Sequence, residues 1–297
     1  MFPRLFNIPL LNIPIYTYSL MIIIGYLLAS YISFINAKRL GLYSNDVLDF
    51  VFWALFSGII GSRIMYVLIE WRKFFITSAW VKLNNFNFHI PSVFAFWEGG
   101  LVIWGGILGG IVAFLLFVYK RQINLYIFAD ILVLGIPLAQ SLGRVGCFFA
   151  GCCWGKAYYH LNLSGNVVSN FPLCIQFPNH SLAYEFLFIK SNYLECKLMY
   201  ESGLTLPLFP IQLCESVIMI VIFFILLYLY SSKKFHGKIL FYYFILYSIS
   251  RVFLEIFRGD LDRGFVINGI FSINQLISLL VLFIALYSIV IFKDNKI

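Results

Sequence analysis

Charge is scarce in this sequence. Of 297 residues only 11% are Asp, Glu, Lys or Arg, against 62% hydrophobic and 20% aromatic, with a mean hydropathy of +0.91. Soluble domains carry roughly 25% charged residues, so a water-soluble globule is excluded and an integral membrane protein is implied. Basic clusters are missing too: the net charge of +8 comes from lysines and arginines scattered in ones and twos between apolar runs. That is not the basic face that nucleic acid requires. The six cysteines include no Cys-X-X-Cys and no zinc-ribbon spacing. No internal repeat is present, which argues against a transporter built from duplicated halves and against a repeat array. No short apolar run with a small-residue cleavage site stands at the start, so the first hydrophobic segment is expected to remain as a span.

Apolar runs of roughly 20 residues, the length a helix needs to cross hydrocarbon, lie at 16–36, 47–69, 94–119, 126–145, 208–230, 239–257 and 270–292. The expected fold is therefore all-α and polytopic, a single membrane domain with about seven transmembrane helices. Lys38 and Arg39, Lys120 and Arg121, Lys233, Lys234 and Lys238, and Lys293 and Lys296 fall on one side when the spans are counted alternately. The positive-inside rule makes that side the cytoplasm, with the N-terminus outside and the C-terminus inside. The segment 156–207, rich in Asn, Ser, Pro and Tyr, is too broken for a span and reads as a small extracytoplasmic cap between the fourth and fifth helices.

The few charges inside the spans form a pattern. Arg63, Glu98, Arg144, Glu215, Arg251 and Glu255 all fall in the outer half of the bilayer by this orientation. The spacing of Arg251, Glu255 and Arg258 predicts one shared helix face. Each arginine has an interhelical ion pair as its plain explanation, but ionisable groups inside a membrane are costly and as a set mark a site. Glycine pairs at 99–100, 105–106 and 109–110, with Gly58 and Gly61, fit close helix packing. Gly99 and Gly100 differ, because they are expected to open a helix beside Glu98 where backbone amides meet phosphate. The stretch GRVGCFFAGCCWG, residues 143–155, adds Arg144 between Gly143 and Gly146 and crowds Cys147, Cys152 and Cys153 together. The arginine asks for an anion there, and the glycines let backbone approach something bulky. An anionic lipid headgroup answers both.

This stretch resembles the signature of the prolipoprotein diacylglyceryl transferases of the bacterial inner membrane. Similar blocks follow in order: YSLMIIIGYLLA, GIIGSRIMYVL, WEGGLVIWGGILGG, FPIQLCES and RVFLEIFRGD. The resemblance implies transfer of the diacylglyceryl group of phosphatidylglycerol to the lipobox cysteine of a preprolipoprotein signal peptide, with release of glycerol 1-phosphate and without a metal or redox cofactor. It implies that Arg144, Arg251 and Glu255 carry the chemistry and that Tyr18, Arg63, Gln212, Glu215 and Arg258 are further polar positions of the site. With the headgroup argument, Glu98, Gly99, Gly100, Gly143 and Gly146 join the candidate substrate contacts. Three positions depart from the family pattern: Trp104 stands for histidine, Cys147 for asparagine and Cys152 for glutamate.

The residues support this chemistry on their own terms. A phosphate leaving group needs its charge held, and arginine's planar fork does so bidentately. Nearby guanidinium groups also lower a thiol's pKa and so activate a cysteine acceptor. Glu255 would orient one arginine or take the thiol proton. Other readings attach to the cysteines: a related transferase with the same donor and another acceptor, a membrane thiol-disulfide oxidoreductase, or a zinc site of Cys147, Cys152, Cys153 and His160. Free, packed thiols are the plain reading of Cys147 and Cys214, and a disulfide is open to Cys174 and Cys196.

Overall fold

The computed structural model describes residues 4–8, 13–41, 43–75, 80–82, 89–94, 100–163, 167–231, 237–259, 265–267 and 271–294. It is built of α-helices: α1 Thr17–Arg39, α2 Ser44–Ile69, α3 Trp71–Phe75, α4 Ile103–Arg121, α5 Leu125–Val133, α6 Ile136–Ala150, α7 Leu182–Lys190, α8 Tyr193–Ser202, α9 Ile211–Ser231, α10 Ile239–Glu255 and α11 Ile273–Asp294. The described strands pair only as short antiparallel hairpins. Among the described residues six helical stretches are long and apolar enough to cross a membrane, α5 and α6 counting as one, 125–150. The expected span at 239–257 corresponds to α10, which has 17 residues and is thus about 25 Å long.

Two compact units result, Phe34–Phe128 on the one hand and Met1–Ser33 with Ala129–Ile297 on the other. In the first, α2 and α4 pack through small residues. A Cβ at Gly105 would meet the Gly61 backbone and the Met65 Cβ at 2.6 Å, so these helices touch main chain to main chain. At the far end of this pair Arg121 bonds Asp49 at 2.7 Å and Asp46 at 3.3 Å. Beside it Phe50, Phe114, Phe117 and Phe128 form an aromatic cluster.

In the second unit α6 packs on α9, α9 on α10 and α10 on α11. The chain breaks between α5 and α6, where Pro137 enters the first turn of α6 and a Cβ at Gly135 would lie 2.5 Å from the Ala29 carbonyl of α1. Buried Asp130 of α5 accepts backbone bonds from Gly237 (2.5 Å) and Leu240 (2.9 Å), so this acid at depth serves as the cap of α10. The 156–207 segment holds the hairpin Tyr159–Leu161 with Val167–Ser169, then α7 and α8. Ser181 caps α7, and Asn192 with Glu195 forms a capping box on α8. Trp154, Phe177, Ala183 and Leu208 make a core beneath them.

Three sequence expectations are corrected. The third span starts at Ile103 rather than at 94, because Ser92–Phe94 is a 3-10 turn and Val102 is the N-cap. Gly100 therefore does not open the helix; it sits at φ +74, a left-handed turn with the Tyr66 ring against its Cα. Arg258 is not on the face of α10, which ends at Glu255; it follows a turn and bridges in antiparallel fashion to Gly155.

Candidate active site

One carboxylate joins three helices. Glu215, in the second turn of α9, forms an ion pair through Oε2 with Arg144 Nε of α6 at 2.5 Å and accepts a hydrogen bond through Oε1 from Arg251 Nη1 of α10 at 2.5 Å. Arg251 Nη2 then reaches Glu255 at 3.0 Å, the i, i+4 neighbour on its own helix. Glu255 also accepts from Ser272 Oγ at 2.9 Å and Asn274 Nδ2 at 3.5 Å, at the start of α11. Glu215 and Glu255 are 4% and 2% exposed, and a lone carboxylate so buried would be strongly disfavoured. The guanidiniums are what allow both to be there.

Exposure runs in one direction along this chain. Arg251 keeps 11% of its side chain open and Arg144 keeps 26%. Glu215 occupies only the Nε of Arg144, so among the described residues its two terminal nitrogens are left for a ligand. Arg258, buried, lies within electrostatic reach of Arg144.

Backbone crossing explains why these ends meet. Gly155 N donates to Phe209 O (3.0 Å), Phe209 N to Lys156 O (3.0 Å), Lys156 N to Phe257 O (2.9 Å) and Gly259 N to Trp154 O (3.2 Å). The exit from α6, the entry to α9 and the exit from α10 are thus stitched together. Gly155 and Gly259 permit it, since a Cβ at Gly155 would be 2.5 Å from Phe209 O and one at Gly259 would strike Gly155 itself.

Cys147, Cys152 and Cys153 gather at the same end, every sulfur within 4.8 Å of the others. All six cysteines are free, Cys174 and Cys196 included. Hydrogen bonds with the Cys147 and Cys152 thiols pull the Cys153 thiol below its usual value, helped by the charges of Arg258 and Arg144, whereas bonds with Cys147 and Cys153 push the Cys152 thiol up. Gln212, fully buried, donates to Cys152 O at 2.8 Å, and its Oε1 has no partner among the described residues. Tyr18 of α1, partly exposed, lies within electrostatic reach of the three cysteines and Arg144. Gly146 gives α1 its approach, a Cβ there meeting Met21 at 3.1 Å and Tyr18 at 3.3 Å, whereas Gly143 faces open space beside Arg144. His160 does not join the cysteines; it pairs with Asn170 in the hairpin.

Arg63 and Gly100 belong to the other unit. Arg63 is 4% exposed, donates to Val93 O at 2.9 Å and Gly100 O at 3.3 Å, and lies over the rings of Tyr66 and Phe74. Trp104, near the start of α4, is half exposed. Glu98 and Gly99 lie outside the described residues. Sequence reasoning missed Ser272 and Asn274. A signal was present: Ser272-Ile273-Asn274-Gln275 before an apolar run is a capping box, with Gln275 N to Ser272 Oγ at 3.2 Å and Ser272 N to Gln275 Oε1 at 3.0 Å.

Comparison with known proteins gives one answer. The family described as prolipoprotein diacylglyceryl transferase matches residues 3–291. The phosphatidylglycerol–prolipoprotein diacylglyceryl transferase 2 of Clostridium perfringens is 30% identical over 288 residues, 96% of this chain and 94% of that protein. Similarly named proteins of Streptococcus uberis (29% over 284 residues, 95% and 92%) and Clostridium tetani (27% over 285 residues, 96% and 95%) are also similar.

Proposed function

This chain belongs to the prolipoprotein diacylglyceryl transferase family, and we propose that it moves the diacylglyceryl group of phosphatidylglycerol to the lipobox cysteine of preprolipoproteins. It is a multi-pass membrane protein. In this reading it sits in the bacterial inner membrane with its N-terminus outside and C-terminus inside, and 156–207 caps the outer face. The arrangement of Lys38 and Arg39 at the end of α1 and Lys120 and Arg121 at the end of α4 supports that orientation.

The observation that carries the assignment is the fork of Arg144, oriented by Glu215 through Nε and open at its terminal nitrogens. A phosphodiester docks on that edge with two parallel hydrogen bonds. Arg251 and Arg258 add field as the phosphate departs, which is where a fixed charge lowers a barrier most. Glu255, wholly buried and holding Arg251 from behind, orients rather than collects a proton. Gly143 leaves room for the glycerol side, and Tyr18 and Gln212 line the approach of the acceptor.

The test is incubation of purified protein in phosphatidylglycerol vesicles with a lipobox peptide, read by mass spectrometry. The expected result is a peptide heavier by one diacylglyceryl group, with glycerol phosphate released. Lipid consumption without modified peptide transfers the donor assignment to a different acceptor, and no lipid turnover refutes the assignment.

A further inference from the structure

The cluster of Cys147, Cys152 and Cys153 is not explained by phosphate binding. Cys147 is in the last turn of α6. Gly151 at φ +69 then turns the chain, with its N–H on Phe148 O and that of Cys152 on Cys147 O at 3.1 Å, and Cys153 follows at φ +59. A non-glycine residue in the left-handed region is strained and is kept where surrounding structure demands it. Its effect here is to fold Cys152 and Cys153 back over Cys147, bringing three sulfurs within 4.8 Å of one another. Sulfurs bound to zinc at ~2.3 Å in tetrahedral geometry stand about 3.8 Å apart, a spacing that this triangle accommodates.

We propose that Cys147, Cys152 and Cys153 form a three-thiolate zinc site whose open fourth position takes the acceptor thiol. Zinc suits the donor set: it is soft enough for thiolates and redox-inert, and it is tetrahedral, so three protein ligands leave one place open. Three thiolates on a divalent ion carry one net negative charge, which the guanidiniums of Arg144 and Arg258 offset. The unpartnered, fully buried Oε1 of Gln212, tied to this loop through Cys152 O, supplies an acceptor at its rim. The inference rests on the transfer reading above and gives that site a means of activating the acceptor thiol.

The step balances. On binding zinc the lipobox thiol releases its proton to solvent, as coordinated thiols are deprotonated outright. Its sulfur forms a bond to the glyceryl carbon of phosphatidylglycerol while the bond from that carbon to the phosphate oxygen breaks. The electron pair leaves with that oxygen, and glycerol phosphate departs on the arginines. The thioether product is neutral, binds zinc poorly and vacates the fourth position.

The experiment uses the full-length protein in detergent under reducing conditions. Equilibrium with zinc should give one ion per chain by elemental analysis, lost in Cys153→Ser and retained in Cys174→Ser. Gln212→Ala should weaken zinc binding by about tenfold. In the unaltered protein zinc should slow alkylation of Cys152 and Cys153 by N-ethylmaleimide at least tenfold. Cobalt in place of zinc should show thiolate charge-transfer absorption that strengthens with a lipobox peptide and not with the peptide's Cys→Ser form. Absent zinc, unprotected thiols, or metal-free protein that transfers as fast as zinc-loaded protein overturn the inference; in the last case the transferase reading stands. Zinc bound on three thiols with no diacylglyceryl transfer under any condition refutes that reading instead, and with it the role of the fourth position.

Discussion

The α2–α4 pair and the α6–α9–α10–α11 group solve the same problem of helix association in opposite ways. In the first, glycines bring main chains into contact, and buried Arg63 donates to the backbone carbonyls of Val93 and Gly100. In the second, helices are joined through Arg144, Glu215, Arg251 and Glu255. Packing of small residues is enough to associate helices in lipid. A buried ionic chain is a poor way to gain stability, because desolvation offsets most of its attraction. Its retention among α6, α9 and α10 points to a use there beyond packing.

That contrast is open to attack by substitution. Glu215→Leu strands two guanidiniums together and should cost about 3–5 kcal/mol, read as lost thermal stability in detergent together with lost transfer. Arg144→Ala should keep the fold and reduce transfer by about 10²–10³-fold, the scale seen when one charge-stabilising donor is removed. Arg144→Lys, which keeps the charge without the fork, should recover only part of it. If Arg144→Ala instead unfolds the protein and leaves the activity of the folded fraction intact, the ion chain is scaffold after all. Gly105→Val should cost about 1–3 kcal/mol through overpacking against Gly61 and Met65, with transfer falling only as folded protein falls. Arg121→Ala, at the half-exposed end of the same pair, should change stability by about 0–1 kcal/mol.

The smallest effect concerns pH. Burial and the 2.8 Å bond to Glu195 push the Tyr159 hydroxyl from its ordinary 10.0 up to about 12. The protonated form is the bonded one, so its contribution is complete below pH 10 and lost as pH rises through about 12. Ultraviolet titration of the protein against Tyr159→Phe should remove one late-ionising tyrosine. A Tyr159 that titrates near 10 would dissolve this link between the hairpin and α8.

Much of the fold was legible because hydrocarbon imposes one simple demand. Runs at 16–36, 47–69 and 208–230 became α1, α2 and α9 within a few residues. Where local chemistry intervenes, the apolar pattern misleads. The run at 94–119 continues through Gly100, whose left-handed φ no hydropathy value reports, and the run at 239–257 hides the end of α10 at Glu255. Arg144, Arg251 and Glu215 could be selected as costly charges, but nothing in their spacing said that one carboxylate would serve two arginines. Ser272 escaped because its partner Glu255 is on another helix.

The amino-acid order by itself determined that this chain lives in a bilayer, where its long apolar segments lie, and which few charges must find partners, because transfer of each side chain from water to hydrocarbon is a local property. Only the tertiary structure decided that Glu215 lies between Arg144 and Arg251, that Arg63 meets the carbonyls of Val93 and Gly100, and that a left-handed turn closes three cysteines into a triangle. Those outcomes depend on which backbones can come within contact distance at Gly155 and Gly259, and that is a property of several segments at once.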